Sequence, residues 1–408
     1  MSSSMPASHV LACRILLLLL PASLLLWSGS ASADDTGEDT AGGTAAATSV
    51  HTAGTQRVRL QALPQVVQQG RRVAPAGWAK TAITATVRPV LVGRPVRLQV
   101  QRGLTWRHVD KVRQDRSGRA QFAAPASLNG QPLTYRVKAI QFGGLEAVVS
   151  DPVSTERWRP PTWSDEFSGT ALAPWWSHRG QSYEPTSLRR CSRGDPAAVQ
   201  VRNGAVRLSV IRDRSRTTRC RAGVRGRPGR RFAYRLQGHI GTEGAFSFRY
   251  GVAAARVKFH HSRGQHGAFW MQPVGGMYPG GPGHEIDVIE YFGDEHPRGG
   301  LGTFIHRYEG DSVVKTGARM TKFRSFLKGR RDGWSKNFHV FSVEWTPQVL
   351  VFRIDGKETY RVRGGISSAR QYPILSILAS DYEIPKMKDS RLPQHMFVDW
   401  VRVWETGP

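Results

Sequence analysis

Three carboxylates stand within six consecutive residues, Glu285-Ile286-Asp287-Val288-Ile289-Glu290. The run is rich in β-branched residues, is followed by Tyr291-Phe292, and has Pro/Gly punctuation before it, so it reads as a strand. On a regular strand Glu285 and Asp287 share a face and Glu290 points the other way. One extra residue near Val288-Ile289, a β-bulge, returns Glu290 to the first face. The Cα atoms of Glu285 and Glu290 are then roughly 13 Å apart. Their side chains can lean together to about 5–6 Å, near the separation of about 5–5.5 Å in retaining glycosidases. Clustered acids cannot all ionise cheaply, so at least one pKa rises. The raised carboxyl can serve as general acid while an ionised neighbour acts as nucleophile. A solvated strand face and a calcium site are the competing readings. Chance acids are mostly paired with Lys or Arg, and the stretch after Gly283 has none until Arg298.

Elements must position these acids, and the chain supplies strands. Val206 to Val210, Ala255 to Phe259, Val340 to Trp345, Val349 to Ile354 and Phe397 to Trp404 are β-type runs with no helical period between them. From Arg159-Pro160-Pro161 to the end this predicts a large sandwich or jelly roll. An earlier series, Ile83 to Val87, Val96 to Val100, Trp106 to Val112, Arg119 to Ala123 and Tyr135 to Ile140, is split by the turn signals Ser117-Gly118 and Asn129-Gly130. It predicts a smaller antiparallel sandwich.

At this point the sequence resembles a known family. E-I-D-V-I-E resembles the bulged active-site signature of glycoside hydrolase family 16, which laminarinases, agarases and carrageenases carry. The surroundings are similar in order: Trp163 to Phe167 with Trp175-Trp176; Tyr250-Gly251 before Ala255 to Lys258; Gly267 to Met271; Gly302 to His306; Phe338-His339 with Val343 to Pro347 and Ile354 to Gly356; and Val398 to Val403. The resemblance covers about residues 162–405. It implies an all-β, concanavalin-like jelly-roll sandwich with a substrate cleft. It also implies Glu285 as nucleophile, Glu290 as acid/base and Asp287 as orienting partner. His306 would line the centre, and Trp270, Tyr278 and Trp175 are candidates for sugar contact. The family often binds one Ca²⁺ on the convex side, and Glu166 and Asp399 occupy matching places. No cofactor is required for catalysis. The sequence departs from the family at Ala254, where a Glu is common, and in the lead-in Met277 to His284. The stretch 57–158 resembles bacterial immunoglobulin-like modules, a sandwich that serves as spacer or accessory binding module.

Composition bounds the rest. The chain has 408 residues, 39% hydrophobic and 22% charged, which excludes wholesale disorder. Residues 1–33 read as a secretory signal peptide: Arg14, the apolar run Ile15 to Trp27, then Ala31-Ser32-Ala33. Residues 34–56, Ala/Gly/Thr-rich and acidic, read as a flexible linker. The domains expected are therefore 57–158 and 159–408, secreted and extracellular, with no membrane span, as a monomer. Of 3 cysteines, Cys13 falls in the signal peptide, leaving Cys191 and Cys220 to form one disulfide. The net charge is +27, and ten arginines lie between Ile211 and Arg235 with Asp213 as the single acid. A solvated loop is the plain reading and an anionic cell-envelope polymer a partner such a stretch could hold; with only Phe232 and Tyr234 interleaved and no motif, no nucleic acid is expected. The function expected is a secreted retaining endo-glycosidase on β-1,3 or mixed β-1,3/1,4-glucan. The alternatives are the same mechanism on anionic galactan, transglycosylation, or a non-catalytic glycan-binding protein.

Overall fold

The computed structural model describes residues 55–158, 160–223 and 229–407. The expected signal peptide, nearly all of the linker, and Arg225 and Arg227 of the arginine cluster lie outside the described residues. The secondary structure is strands joined by turns and a few short 3-10 segments. None of the described helices is long and apolar enough to cross a membrane.

Residues 57–154 form a small sandwich. One sheet has three strands, Arg57–Ala62, Thr81–Arg88 and Arg119–Ala124; the other has five, with Pro95–Arg102 beside Thr134–Ala139 and Thr105–Arg113. Period-two alternation builds its core: Val96, Leu98 and Val100 point inward with Ile83, Val87, Phe122, Tyr135 and Val137.

The rest of the chain forms two larger stacked sheets, the jelly-roll sandwich that the motif order implied. A seven-stranded sheet runs Ser177–His178, His239–Gly241, Gln371–Leu378, His266–Pro273, Glu285–Tyr291, Leu301–Glu309 and Ser312–Arg319. A ten-stranded sheet with Gln394–Glu405 and Gly251–Lys258 at its centre backs it. Phe269, Met271, Ile286, Ile289 and Ile305 from the first sheet meet Val257, Phe341, Val343, Phe352 and Val401 from the second. The strand Glu285–Tyr291 thus has one face anchored in the core, which leaves its acids on the other.

The small sandwich is joined to the large one through a buried core of its own. Ala62, Leu63, Val66, Ala82 and Trp158 pack with Val252, Ala254, Val340, Trp400 and Trp404. Ala254, the departure noted above, is completely buried in this contact; a glutamate there would place a charge in an apolar seam. The module is therefore more firmly attached than a spacer requires.

The carboxylates expected to hold calcium, Asp399 on the strand Gln394–Glu405 and Glu166 just after Trp163–Asp165, do not fit a shared ion. Arg402 makes a two-pronged pair with Glu166 at 2.7 and 2.8 Å. A register shift at Arg256/Val257 leaves Asp399 as the extra residue beside Arg256, whose guanidinium it accepts. The same guanidinium donates to the carbonyls of Gln68 at 2.6 Å and Arg72 at 3.0 Å. Two fixed cations stand where an ion was expected, and one of them staples the small sandwich down. Arg256→Met leaves Asp399 (2% exposed) without its partner. It should cost about 3–5 kcal/mol, as when one half of a buried pair is removed, read as a loss in denaturant midpoint.

Cys191 and Cys220 are bonded, Cα to Cα 5.5 Å, as expected. The bond closes a loop worth on the order of 3–4 kcal/mol in the chain-entropy account. Arg216, Arg219 and Arg235 of the cluster around it have partners within the fold, while most of the described arginines there are exposed. Arg235 is fully buried and pairs with Asp389, as does Arg219, and Arg216 lies over Tyr183 and Tyr234 at 5.0 and 5.2 Å.

Candidate active site

The bulge is present. Against the strand His266–Pro273, Glu290 pairs with Ala268 and Ile289 with Phe269, but Asp287 pairs with Trp270, so Val288 is the residue without a counterpart. The other neighbour agrees: Glu285 faces His306, Asp287 faces Phe304 and Glu290 faces Gly302. All three acids therefore share one face, with Trp270 and His306 on the flanking strands. Ile286 and Ile289 point into the core, and Thr303 Oγ1 caps the bulge by donating to the Val288 carbonyl at 3.0 Å.

Each acid is held differently. Gln272 Nε2 donates to Glu285 Oε2 at 3.1 Å, while Gln272 Oε1 accepts from Tyr372 Oη at 3.0 Å and Arg179 Nη2 at 3.1 Å. Those two donors fix the amide so that its NH₂ group faces the carboxylate. His306 Nε2 lies 3.4 Å from Asp287 Oδ2 and 3.9 Å from Glu285 Oε1. The nearest polar atoms of Glu285, Asp287 and His306 lie within 4.8 Å of one another. Glu290 sits at the other end of the row, 3.9 Å from His266 Nε2.

Crowding and burial set the protonation. Burial, then the charge of Asp287, pushes the Glu285 carboxyl up to about 7. Asp287 is pushed well above the carboxylate range by burial and then by Glu290. His306 is held below its ordinary value by burial, against the pull of Glu285. Glu285 and Asp287 thus retain a proton into the neutral range that an exposed pair would have lost near pH 4.

A stability consequence follows from the sign of these shifts. Both carboxyls bind protons more tightly folded than unfolded, so their contribution to stability is fully present below the unfolded pKa near 4. It is then lost as pH rises through the folded values, about 7 for Glu285. Asp287→Asn removes one of the two charges, so its Tm should exceed that of the wild type at pH 8 and match it at pH 4.

Of the expected sugar contacts, the structure brings Trp270 to the acids and leaves Trp175 elsewhere. Trp270 is half-buried, donates from Nε1 to Ser376 Oγ at 3.1 Å and lies near-parallel to His239 at 6.0 Å. Tyr278 is 54% exposed in the loop before Glu285. That loop places Met277 Sδ 3.1 Å from the Glu285 amide. The Trp175 indole donates to Asp165 at 3.0 Å and packs edge-on against Trp163. Its place is in the aromatic cluster behind the strand Trp163–Asp165, a packing role that the double-tryptophan motif did not distinguish from sugar contact. Gln272, His266 and Glu383 are site residues that the sequence reading did not assign; only His266 carried a signal, as an isolated histidine beside the G-A-F-W segment.

The sequence of residues 199–402 matches the profile of the Glycosyl hydrolases family 16. The chain belongs to this family. The family 16 match covers half the chain and contains the carboxylate strand, both flanking strands and Asp399. Among curated relatives, the chain is 26% identical to a keratan-sulfate endo-1,4-beta-galactosidase of Sphingobacterium multivorum, over 60% of this chain and 54% of that protein. It is 25% identical to a beta-glucanase of Fibrobacter succinogenes, over 39% of this chain and 44% of that protein. The chain thus spans about half the length of the curated relatives it matches. A laminarinase catalytic domain from Thermotoga maritima superposes with a TM-score of 0.47 and 19% identity, covering 61% of this chain and 98% of that one.

Proposed function

We propose that the protein is a secreted retaining endo-glycosidase that cleaves β-1,3 or mixed β-1,3/1,4-glucan, with a catalytic domain over 159–408 and an immunoglobulin-like module over 57–158. The observation that carries this reading is the bulge at Val288, which gathers Glu285, Asp287 and Glu290 on one open sheet face. Family membership supports it.

The chemistry runs in two displacements. Glu285, oriented by Gln272, attacks the anomeric carbon. The glycosidic oxygen takes a proton from Glu290 as its bond to that carbon breaks. A water then attacks the glycosyl-enzyme, giving its proton to Glu290 and releasing Glu285. Asp287, whose carboxyl is pushed up by burial and then by Glu290, stands between the two and limits the charge packed beside the oxocarbenium-like transition state. Trp270 offers a ring face to the sugar. The chemistry uses side chains alone.

Glu285 must be ionised to attack, and burial beside Asp287 pushes its carboxyl up to about 7. The acid limb of kcat/KM should therefore have its midpoint near pH 7, well above an ordinary carboxylate. Asp287→Asn, which removes the neighbouring carboxyl that pushes Glu285 up, should move that limb to lower pH. A limb near pH 4.5 in the wild type, unmoved by Asp287→Asn, contradicts the interaction of the two acids.

A second reading, an anionic galactan as substrate, is favoured by the keratan-sulfate relative and by cations at the site. Lys315 lies on the Phe304 ring at 3.6 Å, and Arg319 carries a buried Nη1 without a hydrogen-bond partner. Reducing-end release from laminarin, lichenan, agarose, carrageenan and keratan sulfate separates the two. Cleavage of the neutral glucans alone supports the first reading, and cleavage confined to the sulfated chains replaces it. Binding without cleavage of any of them leaves a glycan-binding protein.

A further inference from the structure

Beside the proposed acid/base lies a second buried pair that the mechanism above leaves unused. His266, 6% exposed, has Nδ1 2.6 Å from Glu383 Oε2 and Nε2 3.9 Å from Glu290 Oε1. Glu383 comes from 117 residues further along the chain and is 1% exposed. Its Oε2 also accepts the Ser380 amide at 3.4 Å. Phe292 stacks against the imidazole at 5.3 Å and 29° and holds the ring plane. Glu290 Oε2 is buried without a hydrogen-bond partner. The imidazole facing Oε1 is then the polar side chain placed to hold that carboxyl. Because Nδ1–H is committed to Glu383, the nitrogen turned to Glu290 is always Nε2.

We infer that His266, clamped by Glu383, is the positioning residue of the acid/base: it orients Glu290 and supplies a compensating positive charge when Glu290 is ionised. This rests on reading Glu290 as the acid/base. When Glu290 has given its proton to the glycosidic oxygen, the imidazolium Nε2–H turns to its carboxylate. When water returns a proton to Glu290, that contact loosens. No proton moves onto or off His266 in either step.

The surrounding charges permit this. Burial works against the imidazolium, but the charge and hydrogen bond of Glu383, with the charge of Glu290, hold His266 above its ordinary value. Arg189 opposes them. His239 and His260 face it as neutral rings, both held low by burial, and Asp287 feels its charge. Glu290 is faced in addition by Glu285, His306, Arg319 and Tyr382.

The test has an arm that needs no turnover. In ¹⁵N-histidine NMR titrations, Glu290→Gln and Glu383→Gln should each lower the His266 midpoint by about one unit or more, as loss of an opposite charge within a few ångströms does. An unmoved midpoint in Glu290→Gln overturns the inference. In kinetics, His266→Gln should lower kcat on the polysaccharide by about 10- to 100-fold, less than the full 10²–10⁴ of general acid–base catalysis, with KM nearly unchanged. The alkaline limb should move to higher pH, because removing a cation favours the protonated acid. A 2,4-dinitrophenyl glycoside, whose leaving group needs no proton, should be largely spared in the first step. Equal losses on both substrates with an unmoved limb also overturn it. If the wild type cleaves no glycan, the proposed function fails while the NMR coupling is still read. If the wild type is active and the midpoints stay fixed, the positioning role alone fails.

Discussion

Glu285→Ala lowers kcat/KM on a cleavable glucan by about 10⁴- to 10⁶-fold, the scale of losing a nucleophile that works as part of a unit. The expected loss is large because nothing at the site can replace it. Asp287 is the nearer carboxyl to His306, but burial and then Glu290 hold its carboxyl well above its ordinary value. Glu290 sits at the other end of the row. The variant should fold, because a buried carboxyl pushed up to about 7 is a net cost to the folded state at higher pH. Added azide or formate should restore turnover and give a product of inverted configuration, since a small anion then attacks where Glu285 did. Initial rates and product stereochemistry by ¹H NMR check both. A variant that keeps a tenth of wild-type activity removes Glu285 from the mechanism.

Glu290→Ala lowers turnover of the polysaccharide by about 10²- to 10⁴-fold, the range of a general acid–base contribution. The loss should depend on the leaving group. A sugar hydroxyl needs the proton and suffers the full loss. An activated phenol does not need it, so only the second displacement slows and the glycosyl-enzyme accumulates. Azide should then speed that second step and yield a glycosyl azide of retained configuration. Intact-mass spectrometry of the trapped intermediate gives an independent reading. Losses that do not depend on the leaving group would assign Glu290 to structure instead.

How much of this was legible beforehand depends on distance along the chain. E-I-D-V-I-E spans six residues, and strand geometry over so short a run permits few arrangements. Alternation alone turns Glu290 to the far face, an extra residue near Val288-Ile289 returns it, and the structure has that bulge. Alternation likewise marks Val96, Leu98 and Val100 as core. Trp175 shows where local reasoning stops: two adjacent tryptophans look alike on paper, and only their neighbours, Asp165 and Trp163, show that Trp175 packs beside Trp176 instead of joining the acids.

The sequence by itself determined the all-β class, the carboxylate strand and the pairing of Cys191 with Cys220, while the bulge that unites its acids was an expectation that the family resemblance carried. It could do so because strand alternation acts over a few residues, while only Cys191 and Cys220 lie outside the expected signal peptide. The tertiary structure alone decided what surrounds those acids. The His266–Glu383 contact joins residues 117 apart, and Arg256 reaches Asp399 across 143 and Gln68 across 188. No local periodicity encodes such contacts. They exist because two sheets and a second sandwich bury charged groups together, and a buried charge must find its partner wherever the fold brings one.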